Sequence, residues 1–374
     1  MYNLSNVPTP CYVIDEAKLK RNLEILRDVE KRSGAHILLA QKAFSNYEYY
    51  PMIREYISGA TASGLFEARL AHEEMGGENH IFSPAYKDEE FSEILDICDH
   101  IVFNSFSQWE KFRERAMAHG GEFGLRINPQ CSTQEHGIYD PCAFGSRLGV
   151  TQENFREDML WGISGLHFHT LCEQGAEDLS VTLKAVEDKF GKYLYGMKWL
   201  NFGGGHHITK EGYNIELLVY EIKRMSEKYD LKIYLEPGEA VALNAGYLVT
   251  TVCELVDNGI KTAILDASAA CHMPDVIEMP YRPPLKDGYE AEKMPYTYRL
   301  SSMTCLAGDI IGDYSFEKPL KIGDRLRFLD MAIYTMVKNN TFNGMCLPLI
   351  CGMDEGGNIR IIRKFGYDDF KRRL

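Results

Sequence analysis

Residues 200–236 open with Leu200-Asn201-Phe202-Gly203-Gly204-Gly205, continue through an amphipathic run at 215–229, and close with Lys232-Ile233-Tyr234-Leu235-Glu236. A short apolar run, a glycine turn, a helical pattern and a second apolar run make one strand–helix–strand unit. The same rhythm continues towards the N-terminus. Strands are expected at 36–43, 60–63, 80–83, 101–104, 124–128, 164–169, 200–203 and 232–236, with helices at 65–75, 89–98, 108–119, 178–190 and 215–229 among them. In 65–75, Leu65, Ala68, Leu70 and Met75 approximate one face and leave Glu67, Arg69 and Glu73 for solvent. Eight such strands over about 200 residues predict an α/β fold, a closed (β/α)8 TIM-like barrel rather than an open doubly wound sheet.

Beyond residue 245 the rhythm changes. Strands are expected at 247–256, 261–265, 296–300, 325–329 and 358–363, separated by Gly, Pro and Asp turns, with a Pro-rich loop at 280–284. These predict a C-terminal antiparallel β domain. The short run 11–15, ahead of a helical 17–32, reads as a strand that either domain could take. The expected division is a barrel over 18–245 and a β domain formed from 1–17 plus 246–374. No internal repeat or low-complexity linker separates them.

The chain has 374 residues, 45% hydrophobic and 25% charged, with Lys+Arg 41 against Asp+Glu 54 and a net charge of −13. That composition is globular and excludes disorder as the main state. An acidic balance without basic clusters argues against nucleic acid and anionic membranes, and leaves cationic small molecules open. No window approaches ~18 consecutive apolar residues, so no transmembrane helix is expected. The first nine residues lack the basic-then-apolar run of a signal peptide. The ten cysteines contain no C-x-x-C pair and are expected to be reduced thiols in a cytoplasmic protein.

Catalytic groups of such barrels sit at the C-terminal ends of the strands. Lys42 follows Leu38-Leu39-Ala40-Gln41 there, and an amine whose charge burial disfavours can form a Schiff base. The bland alternative is a lysine just past the strand with its head in water. His167 and His169 share one face of the sixth strand, where they could stack on a ring or ligate a metal; His206 and His207, being adjacent, diverge. Gly203, Gly204 and Gly205 end the seventh strand, where barrels commonly bind phosphate. Glu236 ends the eighth, where a carboxylate could hold a cofactor's ring nitrogen protonated. In that order along one barrel, lysine, histidine, glycines and carboxylate compose a pyridoxal 5'-phosphate site.

With these residues in place the sequence resembles the barrel-fold (fold type III, alanine racemase-like) pyridoxal phosphate decarboxylases, which include the ornithine, diaminopimelate and arginine enzymes. Within the family it is most similar to the carboxynorspermidine/carboxyspermidine branch. The resemblance runs from Thr9-Pro10 to about Gly344, and is most specific at 125–129, 145–149, 167–174, 201–209, 265–274, 304–314 and 334–344. It implies that Lys42 carries the cofactor, His169 stacks on its ring, Gly203, Gly204 and Gly205 bind its phosphate with Tyr334, and Glu236 faces its nitrogen. It further implies that Cys305 protonates the substrate carbon after carbon dioxide leaves. Cys305 would come from a neighbouring subunit, which implies a homodimer with shared sites.

The departures bear on the substrate. Glu239 stands where the ornithine and diaminopimelate enzymes carry an arginine after Glu-Pro-Gly, and Leu306 follows Cys305 where the ornithine enzyme has an aspartate. Replacing a cation by a carboxylate suits a substrate amine. Asp275 is then the candidate acid for a distal amine, with Asp266 a lesser one. The expected reaction is decarboxylation of carboxynorspermidine to norspermidine or of carboxyspermidine to spermidine. Another basic amino acid such as diaminopimelate or ornithine, racemisation, a non-catalytic pyridoxal phosphate carrier and a metal-dependent barrel hydrolase using His167 and His169 remain as alternatives.

Overall fold

The computed structural model describes residues 2–134 and 137–374. The chain divides into two compact units, Asn22–Val241 and Met1–Arg21 with Ala242–Leu374. The dividing points lie four residues inside the expected 18 and 245. A helix, Glu16–Ser33, straddles the first of them.

The first strand of the chain is β1 (Cys11–Asp15), and eight parallel strands follow: β2 (His36–Ala40), β3 (Gly59–Ala62), β4 (Glu78–Phe82), β5 (His100–Phe103), β6 (Glu122–Arg126), β7 (Gly165–His167), β8 (Trp199–Asn201) and β9 (Lys232–Leu235). The eight close in sequence order, with His36 on β2 opposite Tyr234 on β9. Helices between the strands cover the outside, so strands such as β3 and β5 are buried along their whole length. Inside, Leu38, Val102, Trp199 and Tyr234 pack together. Trp199 fits only because its neighbours in register are small. A Cβ on Gly165 would lie 2.0 Å from the Trp199 ring, and one on Gly124 2.3 Å from it.

The other unit is a nine-stranded sheet built from β1 and from β10 (Gly246–Asp257), β11 (Lys261–Leu265), β12 (Tyr289–Glu290), β13 (Tyr296–Ser302), β14 (Ile310–Phe316), β15 (Arg325–Leu329), β16 (Leu349–Met353) and β17 (Ile359–Arg363). It is mixed rather than purely antiparallel. β1 runs parallel to β16 and β11 parallel to β13, while the other pairs are antiparallel. The β11–β13 connection is long and carries two short helical turns, Ala269–His272 and Asp275–Glu278, which a parallel crossover needs and a hairpin does not. β1 lies between β10 and β16, so the early strand belongs to this unit. A core around Tyr12, Leu265, Leu300, Tyr314 and Phe328 fills it. No helix among the described residues is long and apolar enough to cross a membrane.

Candidate active site

The C-terminal mouth of the barrel gathers Lys42, Arg126, His167, His169, the glycine turn and Glu236. β2 ends at Ala40, so Lys42 stands in the following turn, its side chain open at the mouth. Loss of hydration, then the Arg126 charge, lower its pKa against the pull of Glu236. Both readings of Lys42 are thus partly right: it is past the strand, and its amine still loses its proton more readily than a free lysine.

Glu236 follows β9 and is 8% exposed. Its carboxylate accepts from Asn201 Nδ2 at 2.8 Å and pairs with His167 Nε2 at 3.3 Å. Burial pushes its pKa up, but His167, His80 and Asn201 outweigh that and draw it from 4.5 down to about 2. It is an ionised acceptor at neutral pH. His167 therefore supports Glu236 from within the barrel, stacked on Phe82 with ring centres 5.5 Å apart, and it does not turn with His169 towards a common ion.

His169 lies beyond the end of β7, and its Nδ1 accepts the Gly204 N–H at 2.7 Å. That bond assigns the remaining ring proton to Nε2. Burial, with Lys42 and Arg126 nearby, holds its pKa well below the ordinary histidine range. The ring is neutral and fixed in place, as a group stacked on an aromatic cofactor must be.

The glycine turn is required sterically before anything else. Gly203 and Gly205 have φ of +70° and +82°, and a Cβ would lie 2.4 Å from Phe168 O at Gly203, 2.5 Å from Glu236 O at Gly204 and 1.9 Å from Leu171 O at Gly205. The expectation that all three N–H groups face a phosphate needs narrowing. Gly203 N–H is given to Asn201 Oδ1 at 2.8 Å and Gly204 N–H to His169, so neither is offered to an anion and only the turn from Gly205 onward could be.

Arg126 is a member that reading the sequence for chemistry missed, although Leu125-Arg126-Ile127-Asn128-Pro129 was among the most specific stretches. It ends β6, is 5% exposed, lies over the Phe82 ring at 4.5 Å and donates to His169 O at 3.3 Å. Burial, partly offset by Glu236, brings its pKa down to about 10. A charged residue ending an apolar strand was the available signal, the same one that marked Lys42. Cys172, on the loop after β7, has its pKa raised to about 12 by burial, Glu239 and Glu173, so it remains a thiol.

The remaining candidates belong to the sheet unit, on three loops tied to one another. Cys305 is exposed after β13, and its N–H donates to Asn343 Oδ1 at 2.8 Å. Asn340 N–H donates to Cys271 O at 2.9 Å and Asn340 Nδ2 to Ala270 O at 2.8 Å, which joins the loop of Tyr334 to that of Asp275. Tyr334 is partly buried at φ +50°. Asp275 is half-buried and paired with Lys338, which also reaches Glu278. Beneath these loops Asp309, 1% exposed, accepts from the hydroxyls of Ser268, Ser302 and Thr304 and from the N–H of Ala269 and Ala270. Asp266 is differently placed: Thr9, Thr250 and the Thr251 N–H donate to it at 2.5–2.8 Å. Those three bonds make it a brace of the sheet, its carboxylate oxygens engaged by protein donors where the sequence suggested a substrate amine.

A buried carboxylate set against a neutral, fixed imidazole, a lysine of lowered pKa and a turn that admits no Cβ fit pyridoxal phosphate. The family model described as pyridoxal-dependent decarboxylase, C-terminal sheet domain, matches residues 11–332. The chain is 44% identical to a carboxynorspermidine/carboxyspermidine decarboxylase of Campylobacter jejuni, covering 98% of both chains. It is 41% identical to a carboxyaminopropylagmatine decarboxylase of Synechocystis, covering 99% of this chain and 96% of that one. The crystal structure of the carboxynorspermidine decarboxylase of Campylobacter jejuni complexed with norspermidine superposes with a TM-score of 0.92 at 43% identity, over 98% of this chain and 100% of that one. The chain belongs to the pyridoxal phosphate-dependent decarboxylases.

Proposed function

We propose that this chain decarboxylates carboxynorspermidine, carboxyspermidine or both, as a cytoplasmic homodimer that completes each site with a residue of the second copy. The observation that carries the substrate reading is Glu239. It begins the short helix Glu239–Ala242 directly after the Glu236 strand end, and puts a negative charge where relatives acting on ornithine or diaminopimelate carry a positive one. The high identity to a carboxynorspermidine/carboxyspermidine decarboxylase over nearly the whole chain supports the same reading. Ten free thiols support the cytoplasmic placement.

Lys42 would hold the cofactor covalently, His169 would lie against its ring, Glu236 would face its ring nitrogen, and the turn from Gly205 with Tyr334 would meet its phosphate. When bound, pyridoxal phosphate supplies an electron-poor ring that accepts the electron pair of the breaking Cα–carboxylate bond. Glu236, ionised at neutral pH, would hold a proton on the nitrogen it faced. Lys42, whose pKa burial and Arg126 lower, would take and return a proton more readily than a free lysine. As carbon dioxide leaves, a proton must arrive at Cα, and the exposed Cys305 thiol of a second copy is the donor. Asp275 would bind a substrate amine only by exchanging its present partner, Lys338.

The Synechocystis relative supports a second reading, in which the far end of the substrate is a guanidino group. Carbon dioxide release by the cofactor-loaded enzyme from carboxynorspermidine, carboxyspermidine, carboxyaminopropylagmatine and diaminopimelate separates them. The two triamine acids should lie within about 10–200-fold of each other, since one methylene is worth ~1–3 kcal/mol, and both should exceed the others. A preference for either of the others overturns the proposal.

A further inference from the structure

We propose that Glu173, His207 and Glu239 form a three-acceptor seat for the terminal ammonium of the substrate; this rests on the triamine reading above and extends it. The three residues come from the loops after β7, β8 and β9, at the mouth that holds Lys42 and Glu236. One ligand atom from each, two carboxylate oxygens and an imidazole nitrogen, lies within 4.8 Å of the others. Acceptors at about 2.8 Å around a tetrahedral ammonium sit roughly 4.6 Å apart, which that limit admits.

His207 points to a ligand independently of the acids. It is 7% exposed, and neither ring nitrogen has a hydrogen-bond partner among the described residues. Buried polar atoms are rarely left that way. Burial and Lys210 hold its pKa at about 4, so the ring is neutral at pH 7 and has one lone pair to offer a donor. The seat is also held in shape. Gln174 N–H donates to Gly205 O at 3.0 Å and His207 N–H to Gln174 O at 3.1 Å, which fastens the Glu173 loop to the His207 loop. Thr209 Oγ1 donates to Ala240 O at 2.6 Å and fastens that loop to the Glu239 helix. Glu173 keeps its side chain there at φ +54°, a conformation that glycine would adopt with less strain.

The geometry discriminates between cations. A secondary amine brings two N–H bonds and leaves one acceptor unpaired, and a guanidinium brings a planar fork that suits coplanar acceptors. A primary ammonium satisfies all three. The test is isothermal titration of the pyridoxal phosphate-loaded enzyme with norspermidine and with a norspermidine analogue ended in trimethylammonium at both ends, which keeps the charge and has no N–H at either end. Glu173→Gln and Glu239→Gln preserve shape, and each should raise the norspermidine Kd about tenfold or more, as expected when a charge-assisted bond is lost. Wild type should bind the trimethylammonium analogue at least about tenfold more weakly than norspermidine, and the variants should bind the two more nearly alike. Unchanged norspermidine Kd in both variants, equal wild-type affinity for the two probes, or no wild-type binding of norspermidine each overturns the seat. Carbon dioxide release from the triamine acids, measured on the same wild-type enzyme, judges the substrate reading separately.

Discussion

Replacing Glu236 by Gln isolates the charge proposed to face the cofactor nitrogen. The side chain keeps its length, and the Asn201 Nδ2 bond to Oε1, 2.8 Å in the wild type, can persist. His167 must change tautomer to face an amide NH2, which its buried and unpartnered Nδ1 allows. What disappears is a full negative charge, because a carboxyl drawn from 4.5 to about 2 is ionised throughout the working range. Losing one partner of a buried charge pair costs about 2–5 kcal/mol. At 1.36 kcal/mol per tenfold, kcat should fall by about 30- to 5,000-fold. The same shift sets the pH dependence of the cofactor-free protein. Glu236 has a lowered folded-state pKa, so its contribution is complete above about 4.5 and is lost as the pH falls through about 2. The drop from 4.5 to about 2 is worth roughly 3 kcal/mol. Wild type should therefore lose stability faster than the variant on acidification below pH 4.5, as followed by urea unfolding. A variant with kcat within about threefold of wild type would mean that Glu236 does not face the ring, since threefold is only ~0.6 kcal/mol.

Lys42→Ala and Cys305→Ala should each be inactive, and Lys42→Ala should also lose visible cofactor absorbance. Mixing the two should restore up to about a quarter of wild-type activity, because half the dimers are mixed and each mixed dimer has one intact site; no recovery would remove Cys305 from a shared site. Gly205→Ala puts a Cβ 1.9 Å from Leu171 O at φ +82°. The backbone strain alone is about 1–3 kcal/mol, so cofactor retention on dialysis and thermal stability should both drop, and an unaltered variant would mean the turn is pliable. Asp309→Ala leaves five donors without their acceptor and should destabilise the protein by roughly 3–5 kcal/mol in denaturant unfolding; a loss below about 1 kcal/mol would show that water replaces it.

The barrel was legible because each strand is a short apolar run bounded by turn residues, so its periodicity survives errors of one or two positions at the ends. β14 was not. Ile310–Phe316 carries Gly312 and Asp313 in mid-strand, so its buried residues do not alternate, and Asp313 pairs across to Arg299 on β13. β16 was missed because Leu349–Met353 includes Cys351 and Gly352 and lies beside β1 from the other end of the chain. At the site, Lys42, His169 and Glu236 could be found because each is a polar residue at the end of an apolar strand. Asp309 could not. Its five donors come from positions 268–270 and 302–304, and no local pattern announces such convergence.

Both ends of the barrel carry buried histidines and acids, so composition does not explain why the chemistry belongs at one of them. At the N-terminal mouth, Glu78 bridges His36 at 2.5 Å and His80 at 3.2 Å. His80 and His100 stack there with centroids 4.0 Å apart and planes 14° from parallel. Lone pairs lie in the ring plane, so two rings stacked this way cannot both aim at one ion. The Glu78 carboxylate is already divided between two imidazoles. The one carboxylate is thus spent inside the cluster, while His80 Nδ1 and His100 Nδ1 have no hydrogen-bond partner among the described residues. At the C-terminal mouth the strand ends release polar groups into loops: Lys42 and Glu173 are exposed, and the buried His207 ring has no hydrogen-bond partner among the described residues. Strand polarity accounts for the difference. Most crossovers of this barrel return the chain to the N-terminal mouth through a helix, whereas each loop leaving the C-terminal mouth is free to vary in length and aim. A charge at one end can be read as structure, and at the other as function, from the end of the strand on which it falls.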